Sequence, residues 1–437
     1  MRKPAFLSSF LPLTFAALST VAGPSAAQAV LPDMGSGSTR QSLPYAAFIE
    51  PAGAMNLATA IRLALAHNPE IAVAKREYEA TEGGVVQGRA RPNPELAFVQ
   101  EGTRSAERSS ALQINLPIEL GGKRQARIDA SQRTRDLANA ELNQRQAEVR
   151  AAVIGTFFDV LTAQERIRLA QETLALSQRV TDLTGKRVIA GKISPVDETK
   201  ARVAEAQVKI ELAQAQGDLR TSRQKLSALW GNAVPRFEGV DGNVLDLADV
   251  PSATALDQRV ERSPSQRRAG AELQRRTALT RIEQTKRTPD PTVSLGVKVA
   301  PGASNQILFG VSIPLPFLDS NQGNLMEALR REDKARDEIT AQRLRLQSEA
   351  LQARERWLTA RTEAEALRTE VLPGAQSAYE AAGKGFDAGK FSFLETLDAQ
   401  RTLIQAKAQY LRAVAETHRA ASDIERLVGD ASTEQKP

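Results

Sequence analysis

His67 and His418 are the only histidines in the chain, and there is no cysteine. Imidazoles and thiolates supply most zinc ligands and many nucleophiles and bases, so the inventory for such chemistry is short. The stretch His67-Asn68-Pro69-Glu70 lacks the second histidine of a zinc-hydrolase helix, and a capping or surface role is expected of both residues. Gly121-Gly122-Lys123-Arg124 resembles the end of a phosphate loop, but Pro117 stands where that motif requires glycine and Arg124 where it requires Ser or Thr. Four methionines make no soft-metal ladder. No catalytic, cofactor or metal constellation emerges, so an enzyme is not expected. What remains is charge at defined spacing: Asp197 with Lys200, and Glu395 with Asp398, each pair three residues apart behind a Gly-Lys turn.

Those pairs sit in a long internal repeat. Residues 190–231 (AGKISPVDETKARVAEAQ…) recur without a gap 198 positions later as 388–429 (AGKFSFLETLDAQRTLIQ…). In each copy a glycine turn precedes a helix-capping serine (Ser194, Ser392), and the first-turn carboxylate (Asp197, Glu395) faces the positive end of the helix dipole. A repeat of this length means that the fold was doubled.

The rest of the chain obeys the doubling. In the first half, helices are expected over 56–67 and 69–89, strands over 95–101 and 110–118, and a proline-free helix over 122–188, roughly 100 Å long. Val153, Val160, Ile167 and Leu174 recur at sevens along it. In the returning helix Val196, Val203 and Ile210 do so, and so do Leu212, Leu219 and Leu226, which predicts an antiparallel coiled-coil hairpin. The second half has strands over 292–299 and 306–313, then a helix over 325–384 with Leu344, Leu351 and Leu358 at sevens and a kink at Pro373-Gly374. The divisions are a leader (1–29), an N-terminal arm (30–55), a first repeat (56–231), a linker (232–253), a second repeat (254–429) and a tail (430–437). Within the leader, Arg2 and Lys3 precede an apolar run that ends at Ala27-Gln28-Ala29, the pattern of a cleavable secretory signal.

An exported chain without cysteine has neither disulfides nor a lipidated cysteine, so membrane attachment must come from the fold. The net charge of +6 is spread along helices and aromatic content is 4%, which argues against nucleic acid as a partner. In the strands Leu112, Ile114 and Leu116 alternate with polar residues, and Ile307, Phe309, Val311 and Ile313 alternate with Leu308, Gly310 and Ser312. Four such strands cannot close a transmembrane barrel, for which about eight is the minimum, so they need partners from other chains. The fold class that follows is mainly α with a small β part. It would place a pore in an outer membrane and project a helical tube into the periplasm; a soluble sheet capping a periplasmic coiled-coil scaffold is the alternative.

The tip motifs AGKISPVDETKARVAEAQ and FDAGKFSFLETLDAQRTLIQAKAQYLRA resemble the helical-hairpin tips of the TolC-like outer-membrane efflux protein family over nearly the whole mature chain. The run LPIELGGKR (116–124) is similar to the heavy-metal, CzcC-type branch. That resemblance implies a homotrimer with a 12-stranded barrel in the outer-membrane lipid and a periplasmic helical tunnel. It further implies a periplasmic adaptor protein and a proton-driven inner-membrane pump of the RND type as partners, with heavy-metal cations as cargo selected by the pump; drug efflux or type I secretion are the alternatives. By the same resemblance Glu395 and Asp398 ring the closed periplasmic gate, with Lys200 or Lys192 neutralising them. Gly191, Lys192, Ser194, Asp197, Gly389, Lys390 and Ser392 are the implied adaptor contacts.

Overall fold

The computed structural model describes residues 50–102, 108–247, 249–302 and 304–429; the expected leader, most of the arm and the tail lie outside them. Asn56 caps α1 (Leu57–His67) by accepting from the Thr59 amide. Asn68 then ends α1 and starts α2 (Pro69–Arg89), its side chain accepting from Glu70 N and Ile71 N while donating to Leu229 O at 2.8 Å. Strands β1 (Glu95–Glu101) and β2 (Ser109–Pro117) lead to α3 (Lys123–Ile189), which packs along the returning α4 (Pro195–Ala228). The second repeat holds α5 (Ala253–Glu261), α6 (Pro264–Thr285), β3 (Thr292–Val299), β4 (Gln306–Ser312) and α7 (Gln322–Ala366). After α7 come a π-helical turn at Leu367–Val371, then α8 (Leu372–Asp387) and α9 (Phe393–Val428).

The expected helix over 325–384 is therefore divided. Pro373 has no amide hydrogen and its ring crowds the preceding turn; the wider π turn just upstream takes up that conflict without breaking the rod. The 67-residue α3 has no proline and no such turn.

The heptads need a larger correction. Val153 and Val160 are buried, but Ile167 and Leu174 are only half-buried. In α4 the buried row is Ala201, Val208 and Ala215, while Val196, Val203 and Ile210 are exposed; of the second expected row Leu226 is buried and Leu212 and Leu219 are half-buried. In α7, Leu344 and Leu351 are likewise exposed, and the core is made by Leu346, Ala350, Ala353 and Trp357 against Ile424 and Leu427 of α9 and Val260 of α5. Helices approach closest where alanine permits it, so alanines line much of the seam, while Val196, Val203, Ile210, Leu344 and Leu351 face outward.

One antiparallel sheet, in the order β1-β2-β3-β4, joins the two repeats. Its register pairs Leu96 with Ile114, Ile114 with Leu295 and Leu295 with Phe309, so a single apolar face crosses all four strands. The other face carries Gln113, Asn115, Ser294 and Lys298 with small Ala97, Gly296 and Gly310. There Ser294 Oγ donates to Asn115 Oδ1 at 2.7 Å and Lys298 pairs with Glu101 at 2.6 Å. Edges β1 and β4 have no neighbouring strand beyond them among the described residues.

Candidate functional site

At the far end of the α3–α4 hairpin, Gly191 adopts φ 64, a left-handed conformation in which glycine avoids the Cβ penalty, and Lys192 N donates to Arg187 O to close the turn. Ser194 accepts from Val196 N at 3.2 Å and Pro195 occupies the first helical position. Gly389 repeats this geometry at φ 71, with Lys390 N donating to Gly385 O at 2.8 Å. Here the cap is reciprocal: Glu395 N donates to Ser392 Oγ at 3.3 Å, and Glu395 Oε2 accepts from Ser392 N at 2.6 Å. Donation from the Ser392 amide and hydroxyl holds the Glu395 carboxyl below the usual carboxylate range.

The charges expected at the gate divide by helix. Lys200 Nζ lies 3.9 Å from Asp197 Oδ1 on its own helix, and no ion pair joins Lys200 or Lys192 to Glu395 or Asp398 among the described residues. Asp398 is exposed and forms no ion pair among them. A different residue connects the tips. Arg187 Nη2 donates to Phe386 O at 2.8 Å, and its guanidinium lies 3.7 Å from the Phe386 ring centroid. Phe386 itself packs with Ala201 and Leu397, so three helices meet there. The signal available in the sequence was an inequality between the copies, since Arg187 stands where the second repeat has Gly385. Also unforeseen are the exposed apolar residues beside the turns, Ile189 and Val196 at one tip, Phe391 and Leu394 at the other.

Higher up, the segment between the repeats wraps both hairpins. Gln164 of α3 accepts from Val240 N and donates to Val240 O, and buried Glu50 accepts from Asn232 and from Arg236 N. His418, expected in a capping or surface role, is instead 3% exposed; its ring stacks on Phe158 at 3.7 Å, and Nε2 donates to Val244 O at 2.7 Å. Burial pulls its pKa below the usual imidazole value, against the opposing pull of the Val244 carbonyl and the Asp246 charge.

A paired hairpin-and-sheet repeat of this kind has a counterpart among known families. The outer membrane efflux protein model matches twice, over residues 60–232 and 255–430. The chain belongs to that family. It is an outer-membrane efflux protein. This efflux protein is 47% identical over 381 residues to the cobalt-zinc-cadmium resistance protein CzcC of Cupriavidus metallidurans, an alignment covering 87% of this chain and 91% of that one. It is 27% identical to the nickel-cobalt-cadmium resistance protein NccC of Alcaligenes xylosoxydans xylosoxydans, over 68% and 69% of the two chains. A solved structure of CusC superposes with a TM-score of 0.73 at 18% identity, covering 88% of this efflux protein and 93% of CusC. The apolar sheet face is suited to lipid and the polar, small-residue face to water.

Proposed function

We propose that this protein is the outer-membrane channel of a tripartite, proton-driven system that exports heavy-metal cations of the cobalt, zinc and cadmium class. The observation that carries this reading is 47% identity, sustained over nearly the full length, to a protein whose name states that resistance. Three copies joined edge to edge through β1 and β4 make a 12-stranded barrel and continue below as a closed ring of helices. The sheet supports this, because four strands with two free edges and one apolar face need such neighbours. Periplasmic adaptor subunits dock on the tips at Gly191, Lys192, Ser194, Asp197, Gly389, Lys390 and Ser392, and an inner-membrane pump of the RND type drives the cargo. Glu395 and Asp398, tripled around the axis, attract cations to the periplasmic entrance, and Lys200 moderates that field through Asp197.

Deletion of the gene tests the cargo. Growth inhibition should appear at lower cobalt, zinc and cadmium concentrations while sensitivity to hydrophobic drugs stays unchanged. Hypersensitivity to drugs alone would assign the channel to multidrug efflux instead.

A further inference from the structure

The apolar face of the sheet does not stop where the strands stop. On β4 the alternation Ile307, Phe309, Val311 continues through Ile313 and Leu315, all exposed, and on β2 the row Leu112, Ile114, Leu116 continues through Ile118 and Leu120. The length explains why. Seven residues of β4 extend about 24 Å along the strand. Tilted by roughly 40°, they cover only about 18 Å of an apolar band about 25 Å tall, and closing the gap takes about three more residues. Those residues lead into a turn, closed by Phe317 N donating to Leu315 O, that presents Phe317 at 85% and Leu318 at 97% exposure. Asn321 ties this turn to the end of α6, its side chain donating to Glu283 O at 2.9 Å.

Cations gather at the same level. The ends of α2 and α6 meet the first turn of α3, where Arg124 Nε donates to Arg89 O and Lys123 Nζ donates to Thr288 O. The local acids are already engaged: Asp290 by Lys123, Glu119 by Arg127 and Glu283 by Lys286. Asp319 accepts from Asn321 N, and Glu95 lies on the polar side of the sheet. Arg89, Arg91, Arg124 and Arg287 are exposed and have no acidic partner among the described residues.

We infer that this strand–helix junction is a binding surface for anionic phospholipid in the periplasmic leaflet. The inference rests on the outer-membrane channel reading and adds to it a site and a headgroup chemistry. Leu315, Phe317 and Leu318 enter the acyl region as a wedge, and the four arginines meet headgroup phosphates just below. Guanidinium groups suit phosphate because their donors form a planar fork. This collar sets the depth of the barrel.

Two measurements on the full chain test it. In the first, Leu318→Trp and Phe309→Trp variants are reconstituted in vesicles containing brominated phosphatidylcholine, and the added tryptophan fluorescence is compared with that of the native protein, whose Trp230 and Trp357 are buried among the helices. Both added tryptophans should be quenched. Quenching at 309 without quenching at 318 would overturn the inference and assign the loop to water or to a neighbouring copy, leaving the channel reading intact; no quenching at either position would overturn the channel reading itself. In the second, detergent-purified protein is exchanged into equal amounts of phosphatidylglycerol and phosphatidylethanolamine, and retained lipid is measured by mass spectrometry. Phosphatidylglycerol should be enriched, and Arg91→Gln and Arg287→Gln should each reduce the enrichment about five-fold. Equal retention of the two lipids, or enrichment untouched by both variants, would refute the headgroup site.

Discussion

The two hairpins arose from one sequence and have become structurally different. In the first, α3 runs for 67 residues without interruption, and its tip charges, Asp197 and Lys200, offset each other on one helix. In the second, the corresponding rod is divided by a π turn and Pro373, Glu395 is spent on its own cap, and Asp398 stands unpaired among the described residues. The first rod is continuous and the second carries a wider turn at Leu367–Val371. At the tips Arg187 on Phe386 joins the second hairpin to the first, a contact with no equivalent in the other direction because the counterpart of Arg187 is Gly385.

The comparison can be broken first at that contact. Phe386→Ala should loosen the second tip by about 3 kcal/mol or more, as truncation of a buried aromatic does. Val188→Ala, at the matching half-buried position of the first, should cost about 1 kcal/mol. Hydrogen exchange of the tip amides reads both, and equal losses would show the hairpins to be equivalent. Next, Arg187→Gln removes the cation–π contact and a charge-assisted hydrogen bond, worth about 1–2 kcal/mol. Single-channel conductance in planar bilayers should rise if the tie helps keep the entrance shut, whereas unchanged conductance would deny it that role.

A further contrast lies higher on the returning helices, where buried His418 matches exposed Arg220. The folded pKa of His418 is lowered, so its contribution to stability is complete above the unfolded value of about 6.5 and is lost as pH falls from there toward the folded value. Thermal unfolding should show a loss between neutral and mildly acidic pH that His418→Gln diminishes; an identical pH profile in the variant would rule this out. The smallest stability effect is expected at Glu395. Its carboxyl is depressed and exposed, so the cap is present above the unfolded pKa and fades as pH drops through the folded one. Glu395→Ala with Asp398→Ala should nonetheless relieve block by divalent cations in bilayer recordings, and unaltered block would remove both from the gate.

Much of this design could be read in advance because it is local. Gly191, Ser194, Gly389 and Ser392 announce their turns and caps within a few residues, and the alternation at Ile307, Phe309 and Val311 is visible at a glance. Val153, Val160 and Leu226 were placed correctly, but one row of α4 was misread for a physical reason: in a helix every face recurs near seven residues, so Val196–Val203–Ile210 and Ala201–Val208–Ala215 are equally periodic, and size favoured the wrong row. Arg187 with Phe386, and His418 with Val244, lie 199 and 174 positions apart, and no local pattern foretells them.

The open edges at β1 and β4 bear on how the protein reaches its destination. Alone in hydrocarbon, a single copy would expose two rows of unsatisfied amides and carbonyls, a state that lipid does not tolerate. In the proposed three-copy barrel, insertion and assembly would then be a single event, whose rate would climb steeply with the amount of chain waiting in the periplasm. Until such neighbours arrived, each copy would be a sheet with sticky margins that has to be kept from the wrong company.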